Sequence, residues 1–282
     1  MSSTEKILTI QDISCVGQCS LTVALPILSA CGLETAILPS AVLSTHTGGF
    51  KGYTFRDLTA DMPAIAAHWR SEGISFKAVY TGYLGSREQI AHVKEIFNTL
   101  LAPGGLKIVD PAMADNGRLY TGFDGAFVEA MKGLVSEADV ILPNLTEAAL
   151  LTGLPYKESY DPSYIEEVLN ALQALGAATV ILTGVSYEET TTGVAVREGG
   201  TTRYYRHVRY PKGCHGTGDI YASAFVGALL RGKTSYQAAV IAADYTVRCI
   251  ENTVSDPDHW YGAKFEPILG ELIDALSAPA AD

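Results

Sequence analysis

Apolar runs too short for anything but buried strands alternate along the chain with stretches whose apolar residues recur every three or four positions. Ile7 to Ile10 is such a run, ending in the polar pair Gln11-Asp12, and reads as a buried first strand. Gly17 then opens a helical period through Leu21, Leu25 and Leu28 that closes at Cys31-Gly32. Glu34 to Leu38 is a second strand, and the hydroxyl- and glycine-rich Leu43 to Phe50 is a loop. The same alternation predicts a helix over 62–70, a strand over 78–81 and a helix over 89–101 with Ser86 as N-cap. It continues with strands over 107–109 and 140–142, a helix after Glu147, a helix over 164–175 and a strand over 180–182. Two alternating runs, 193–196 and 202–208, form a hairpin turning at Gly199-Gly200. Helices over 218–230, 236–250 and 265–276 complete the chain.

Strands that alternate with helices require a mostly parallel sheet covered on both faces. No Pro/Ser-rich linker, repeat or low-complexity block divides residues 1–282, so one α/β domain is expected. Asp110, Asn144, Thr183 and Asp219 follow or lie near strand ends. Each alone could simply end a strand or cap a helix. Together they mark one edge, and ligands of open α/β sheets sit beyond the carboxyl ends of the strands.

Composition adds exclusions. With 48% hydrophobic and 18% charged residues, the chain has the make-up of a globular enzyme. A formal charge of −11, with no Lys/Arg run, opposes binding to nucleic acid or anionic membranes. No basic-plus-apolar leader opens the chain, and the longest apolar stretch, near Leu21 to Leu33, is too short to span a bilayer. Five scattered cysteines without a Cys-x-x-Cys pair favour reduced thiols over disulfides or zinc, so a cytoplasmic enzyme is expected.

The chemistry concentrates at Gly213-Cys214-His215-Gly216-Thr217-Gly218-Asp219, just before an apolar helical run. Two glycines flanking a threonine present bare backbone N–H groups at a helix N-terminus, which suits an anion such as phosphate. Asp219 repels a resting phosphate and needs another role. Helix capping and proton abstraction from an attacking hydroxyl are both open to it. Gly227-Ala228-Leu229-Leu230-Arg231-Gly232-Lys233-Thr234 matches the P-loop pattern letter for letter, yet it continues a helix where a true P-loop follows a strand. Thr234 and Gln237 instead read as a capping box. Asn144 and Glu147, three apart at a helix start, either cap that helix or hold water around a magnesium ion. Cys214-His215 is a poor chelate, and the remaining histidines lack ligand spacing.

With these residues placed, the chain resembles the pyridoxal kinases of the ribokinase-like superfamily nearly end to end. The resemblance is carried by Ile10-Gln11, Thr45-His46-Thr47-Gly48, Thr81-Gly82-Tyr83-Leu84-Gly85-Ser86, the Asp110-Pro111 loop through Tyr120, Pro143-Asn144-Leu145-Thr146-Glu147 and Gly216-Thr217-Gly218-Asp219. It implies a three-layer α/β/α sandwich, homodimerisation, and ATP- and Mg2+-dependent phosphorylation of the 5′-hydroxymethyl group of a vitamin B6 vitamer, with a monovalent cation such as K+ as a further option. By the same resemblance, Asp219 is the general base and the Gly216, Thr217 and Gly218 amides stabilise the transferring phosphoryl. Asp110, Asn144, Glu147, Thr183 and Tyr120 face ATP. Asp115 and Glu147 face the metal, Thr47 and Tyr83 face the pyridine ring, and residues 110–122 form a flap.

Two features depart from the pattern. Many relatives carry serine where this chain has Asp12, and a carboxylate there is expected to meet the ring nitrogen or a 4′-amine. Gly213-Cys214-His215 looks more like the hydroxymethylpyrimidine kinases, which are the alternative substrate class. A vitamer-binding protein without catalysis is expected to lack the base, whereas Asp219 is present. A dehydrogenase would need Gly-x-Gly-x-x-Gly after the first strand, which is missing.

Overall fold

The computed structural model describes residues 6–278 except Lys212 and Pro257. In chain order the first half contains β1 (Ile7–Ser14), α1 (Leu21–Ala30), β2 (Thr35–Leu43), β3 (Phe55–Asp57), α2 (Met62–Ser71), β4 (Phe76–Thr81), α3 (Arg87–Thr99) and β5 (Leu101–Val109). A small hairpin, β6 (Ala114–Asp115) and β7 (Arg118–Leu119), precedes α4 (Gly125–Val135), β8 (Val140–Ile141), α5 (Leu145–Thr152) and α6 (Pro162–Ala174). Then come β9 (Thr179–Glu188), β10 (Thr191–Glu198), β11 (Thr201–Val208), α7 (Thr217–Leu230), α8 (Ser235–Val254) and α9 (Leu269–Ser277).

One nine-stranded sheet has the order β11-β10-β9-β8-β5-β4-β1-β2-β3. The strands from β2 to β9 in that order pair in parallel. The edges β3, β10 and β11 are antiparallel. Each face carries its own core. On one, Phe76, Val79, Val93, Phe97, Met131 and Leu169 pack among α2 to α6. On the other, Tyr80, Ile27, Phe225, Ala242 and Phe265 pack among α1, α7, α8 and α9. This is the expected three-layer α/β/α sandwich. The chain leaves β1 toward β2 and later returns to β4 on the other side, so the strand order reverses at β1. That switch point opens a crevice where the ends of β1 and β4 diverge.

Several elements differ from the sequence reading. The helix expected from Gly17 begins only at Leu21, because residues 15–19 form a loop folded over the sheet edge. α3 stops at Thr99 rather than Leu101, since Leu101 already pairs with Phe76 in β5. β9 runs through Thr183 and Gly184 to Glu188, where β10 folds back onto it. The last helix is split, with a 3-10 turn over Glu266–Ile268 before α9. The β6–β7 hairpin, β3 and α4 were not expected. β3 exposes all three residues and carries no apolar alternation. α4 does bury Phe127, Val128, Met131, Leu134 and Val135 at helical spacing, and the Asp124 carboxylate caps it by accepting from the Phe127 N–H at 2.8 Å.

Candidate active site

Asp219 stands in the first turn of α7, and that turn has no side-chain cap. Its N-cap is Gly216, held in the left-handed region at φ 76°. A Cβ there would lie 1.6 Å from the Gln18 carbonyl oxygen, so only glycine lets the turn approach the 15–19 loop this closely. The helix therefore offers first-turn N–H groups that no side chain occupies. Asp219 does not cap it. Burial, offset by the nearby Ser20 backbone N–H and reinforced by the Asp12 carboxylate, raises its pKa to about 7. A carboxylate with that proton affinity is matched to general-base work at neutral pH.

A second part of the site is assembled around the start of α5. Asn144 and Glu147 form a reciprocal capping box, each side chain accepting the other's backbone N–H at 2.9 Å. The same two side chains also hold the β6–β7 hairpin. Glu147 Oε1 accepts from the Met113 N–H at 2.9 Å and the Ala114 N–H at 3.4 Å. Asn144 Nδ2 donates to the Ala114 carbonyl at 2.7 Å. Thr146, which the sequence reading passed over except as part of a motif, accepts the Gly117 N–H at 3.0 Å. The capping reading of this motif is thus realised, and the same two side chains tie the 113–114 backbone to the start of α5. Burial lifts the Glu147 pKa to about 7 against the pull of three amides, with Asp115 adding to the rise.

Asp110, at the end of β5, accepts the Ala112 N–H at 3.2 Å. Burial, then the Glu147 and Asp219 carboxylates, hold its pKa well above the usual carboxylate range. Tyr120, on the hairpin's far side, is 42% exposed and lies within reach of Glu147, Asp110, Asp115 and Asp219, which together with burial raise its phenol. Thr183 pairs with Asn144 as a parallel bridge and its hydroxyl donates to the Pro143 carbonyl at 3.4 Å. Asp110, Asn144, Glu147, Thr183, Tyr120 and Asp219 thus gather at one edge, as expected.

A hydrated magnesium ion fits the donors present. No group of three His, Cys, Asp or Glu side chains able to hold a metal occurs among the described residues. Glu147 has amides on both oxygens but room for one more donor, which a metal-bound water can fill. Asp115 is exposed, with its oxygens accepting from the Asn116 N–H and Nδ2, so it too can meet a metal only through water or by turning. Magnesium keeps several waters and takes one or two carboxylates plus substrate phosphates, so this sparse set is compatible with it.

Near Asp12, Tyr83 stacks on Phe123 at 5.6 Å, and burial with Asp12, Tyr53 and Asp57 pushes its phenol up to about 12. Thr47 is exposed in the loop after β2, whose Gly48 and Gly49 lie under His215 and Trp260. His46 holds that loop: its Nδ1 accepts the Gly48 N–H at 3.0 Å and its Nε2 sits 2.7 Å from the Tyr261 carbonyl, so the proton is on Nε2. Asp12 differs from expectation. It is only 5% exposed, and its oxygens accept from the Ser14 hydroxyl at 3.0 Å and the Ser20 hydroxyl at 2.5 Å. It is an engaged, buried carboxylate rather than an open one at the substrate edge.

The P-loop look-alike is structural. Gly227 is buried in α7, where a Cβ would meet Cys31 Sγ at 2.3 Å, and Thr234 with Gln237 forms the capping box of α8. Lys233 donates to the Ala278 carbonyl at 2.8 Å.

A parallel sheet with an open helix N-terminus facing a carboxylate-rich hairpin across its carboxyl edge is the scaffold of the ribokinase-like kinases. The chain belongs to the phosphomethylpyrimidine kinase family, whose model matches residues 28–262. It is 35% identical to a Lactobacillus plantarum pyridoxal kinase, with a TM-score of 0.88 and 96% and 97% of the two chains covered. A Bacteroides thetaiotaomicron protein assigned as a phosphomethylpyrimidine kinase and crystallised with pyridoxal is 37% identical, with a TM-score of 0.89 over 98% and 96% of the chains. A Bordetella avium pyridoxine/pyridoxal/pyridoxamine kinase is 26% identical over 88% of this chain and 85% of its own. No helix among the described residues is long and apolar enough to cross a membrane.

Proposed function

We propose that this chain phosphorylates the 5′-hydroxymethyl group of a vitamin B6 vitamer with the γ-phosphate of ATP. The observation that carries the reading is Asp219: a buried carboxylate with a pKa near 7, set in a helix turn whose amides no side chain occupies. In the reaction the substrate oxygen forms a bond to the γ-phosphorus, the bond from that phosphorus to the β-bridging oxygen breaks, and ADP departs. Asp219 accepts the hydroxyl proton. The amides from Gly216 to Asp219 face the charge carried by the transferring group. Glu147, with Asp115 on the hairpin, would hold magnesium through water, and magnesium would neutralise charge on the phosphates. Asp110, Asn144, Thr183 and Tyr120 line the nucleotide side, and Thr47 and Tyr83 the pyridine side. The homodimer that the family resemblance implies belongs to the same proposal and is read by sedimentation.

Hydroxymethylpyrimidine is the second candidate substrate. The matching family model is named for phosphomethylpyrimidine kinase, and a Bacillus subtilis hydroxymethylpyrimidine/phosphomethylpyrimidine kinase is 27% identical over 78% of this chain. One panel separates them: ATP consumption with pyridoxal, pyridoxamine, pyridoxine and hydroxymethylpyrimidine. The expected outcome is the largest kcat/KM with a B6 vitamer. Turnover of hydroxymethylpyrimidine alone would replace the substrate while leaving the chemistry intact.

A further inference from the structure

Gln89, at the third position of α3, is 1% exposed and makes bonds that its place in the helix does not predict. Ser86 caps the helix by accepting the Gln89 N–H at 3.2 Å, and serine with glutamine three residues on is the pattern of a capping box. At α5 and α8 the residue in that place returns its side chain to the N-cap N–H. Gln89 turns elsewhere. Its Oε1 accepts from the Gly85 N–H at 2.7 Å, and its Nε2 donates to the Ser40 carbonyl at 3.0 Å and the Thr59 hydroxyl oxygen at 2.9 Å. An N–H only donates and a carbonyl only accepts, so the amide fits in one orientation. Its donors and its acceptor are all engaged in a site closed to water.

The three partners belong to three separate segments around Tyr83. Ser40 lies in a bulge of β2: Pro39 pairs with Gln11 and Val42 with Ile13, so Ser40 and Ala41 stand where β1 has only Asp12. The Ser40 carbonyl takes the Leu58 N–H at 3.1 Å as well as Gln89, and its hydroxyl donates to the Tyr83 carbonyl at 3.3 Å. Thr59 opens the turn between β3 and α2, with its N–H on Asp57 Oδ1 at 2.6 Å. Gly85 is two residues beyond Tyr83. The Tyr83 backbone is thus held twice, by Ser40 at its own carbonyl and by Gln89 at Gly85. Its half-buried ring stacks on Phe123, which stacks in turn on Phe127 at 3.8 Å.

We propose that Gln89 is a positioning residue for Tyr83 and so sets the shape of the pocket that receives the ring of the acceptor. One amide clamps the β2 bulge and the β3–α2 turn against the Gly85 backbone, and the Ser40 hydroxyl on the Tyr83 carbonyl closes the circuit. Release of that clamp frees the Tyr83 segment from both neighbours and displaces its ring. Gln89 therefore acts on binding of the ring alcohol and not on the nucleotide, whose residues stand on the far strands β5 and β9 and on α5. The inference rests on the proposed reaction, in which Tyr83 lines the pyridine side.

Gln89→Met keeps the volume and removes all three bonds. A merely structural glutamine predicts a lower Tm with both KM values unchanged at a permissive temperature. The positioning role predicts a lower Tm together with a KM for pyridoxal raised about five- to tenfold, the scale of a lost ring–ring contact, and a KM for ATP within about twofold. That rise should vanish when Gln89→Met is made in a Tyr83→Ala background, because the effect passes through the Tyr83 ring. Ser40→Ala keeps the carbonyl that Gln89 uses and removes only the hydroxyl on Tyr83. It should show the same split at about two- to threefold, the lower range of one net hydrogen bond, with Tm near wild type, and it decides the question if Gln89→Met does not fold. An unchanged pyridoxal KM in a folded variant, an equal rise in KM for ATP, or additive effects of Gln89→Met and Tyr83→Ala overturns the proposal. A wild-type protein that phosphorylates neither a B6 vitamer nor hydroxymethylpyrimidine removes the functional reading itself, and the proposal with it.

Discussion

Three helices start with sequences that a motif reader would group together, and they end up with opposite properties. α5 and α8 both begin with a capping box, Asn144 with Glu147 and Thr234 with Gln237, whose side chains take up the backbone donors of the first turn. α7 begins at Gly216 with no side-chain cap. A helix N-terminus attracts anions only while its N–H groups are free. The capped starts are therefore closed to phosphate, however well one of them spells a P-loop, and the uncapped start is open. At α5 the capping carboxylate has a second job: it also holds the backbone at the start of the β6–β7 hairpin.

The comparison breaks hardest if Asp219 is not the base of the open turn. Asp219→Asn should lower kcat by about 10²–10⁴ while ADP affinity stays within a few-fold, because the amides remain and a repelling charge is gone. Turnover above half of the wild type would falsify the assignment. In the wild type, activity should rise with pH through about 7, as the carboxylate loses its proton. Stability should run the other way. The folded pKa lies above the ordinary carboxylate value, so the native state holds more protons between about 4 and 7. This group's contribution is therefore fully present below about 4 and is lost as pH rises through about 7. Asp219→Asn should raise Tm at pH 8 more than at pH 5, and an equal shift at both would show that Asp219 is not buried as an ionisable group.

Glu147→Gln tests the closed start. An amide group cannot accept on both ends, so one of the N–H groups of Asn144, Met113 or Ala114 loses its partner in a buried position. An unsatisfied buried donor costs about 1–3 kcal/mol. The expected result is a Tm several degrees lower, faster proteolysis in the 112–122 segment and a raised KM for ATP with little change in KM for pyridoxal. A matched rise in both KM values would place Glu147 on the acceptor side.

How much of this is legible in the sequence follows the same physics. The parallel strands are buried on both faces and read as unbroken apolar runs, so β1, β4, β8 and β9 are found where expected. β3 escapes because an exposed edge strand has no apolar signal. α4 has the signal, but its short segment follows a glycine-bearing loop that draws attention to the flap instead. The site residues at strand ends stand out because polar groups there are few and share one edge. Ser20 does not. Its conformation depends on the 15–19 loop folding against Gly216, a contact between positions about 200 residues apart, and serine before a helix already has an ordinary explanation. Asp12 is visible as an oddity, and Ser14 two residues on shares its face of β1, but Ser20 reaches it only through the path of the loop.

The smallest expected effect is also the cleanest discriminator between the open and closed starts. Lys233 carries the lysine of the P-loop pattern, and in a true P-loop that ammonium binds the β- and γ-phosphates, so its removal cripples turnover. Here α7 ends at Leu230, the Lys233 N–H donates to the Ala228 carbonyl at 3.1 Å, and the side chain reaches the Ala278 carbonyl at 2.8 Å behind the C-terminal end of α7. From Asp219 to the helix end at Leu230 the rise is about 16 Å at 1.5 Å per residue, which puts Lys233 beyond the far end from the open amides. Lys233→Ala should leave kcat and KM for ATP within about twofold, and the lost exposed hydrogen bond should change stability by at most about 1 kcal/mol. A collapse in turnover with an unchanged Tm would move the phosphate site from the start of α7 to its end, and Asp219 would lose its substrate.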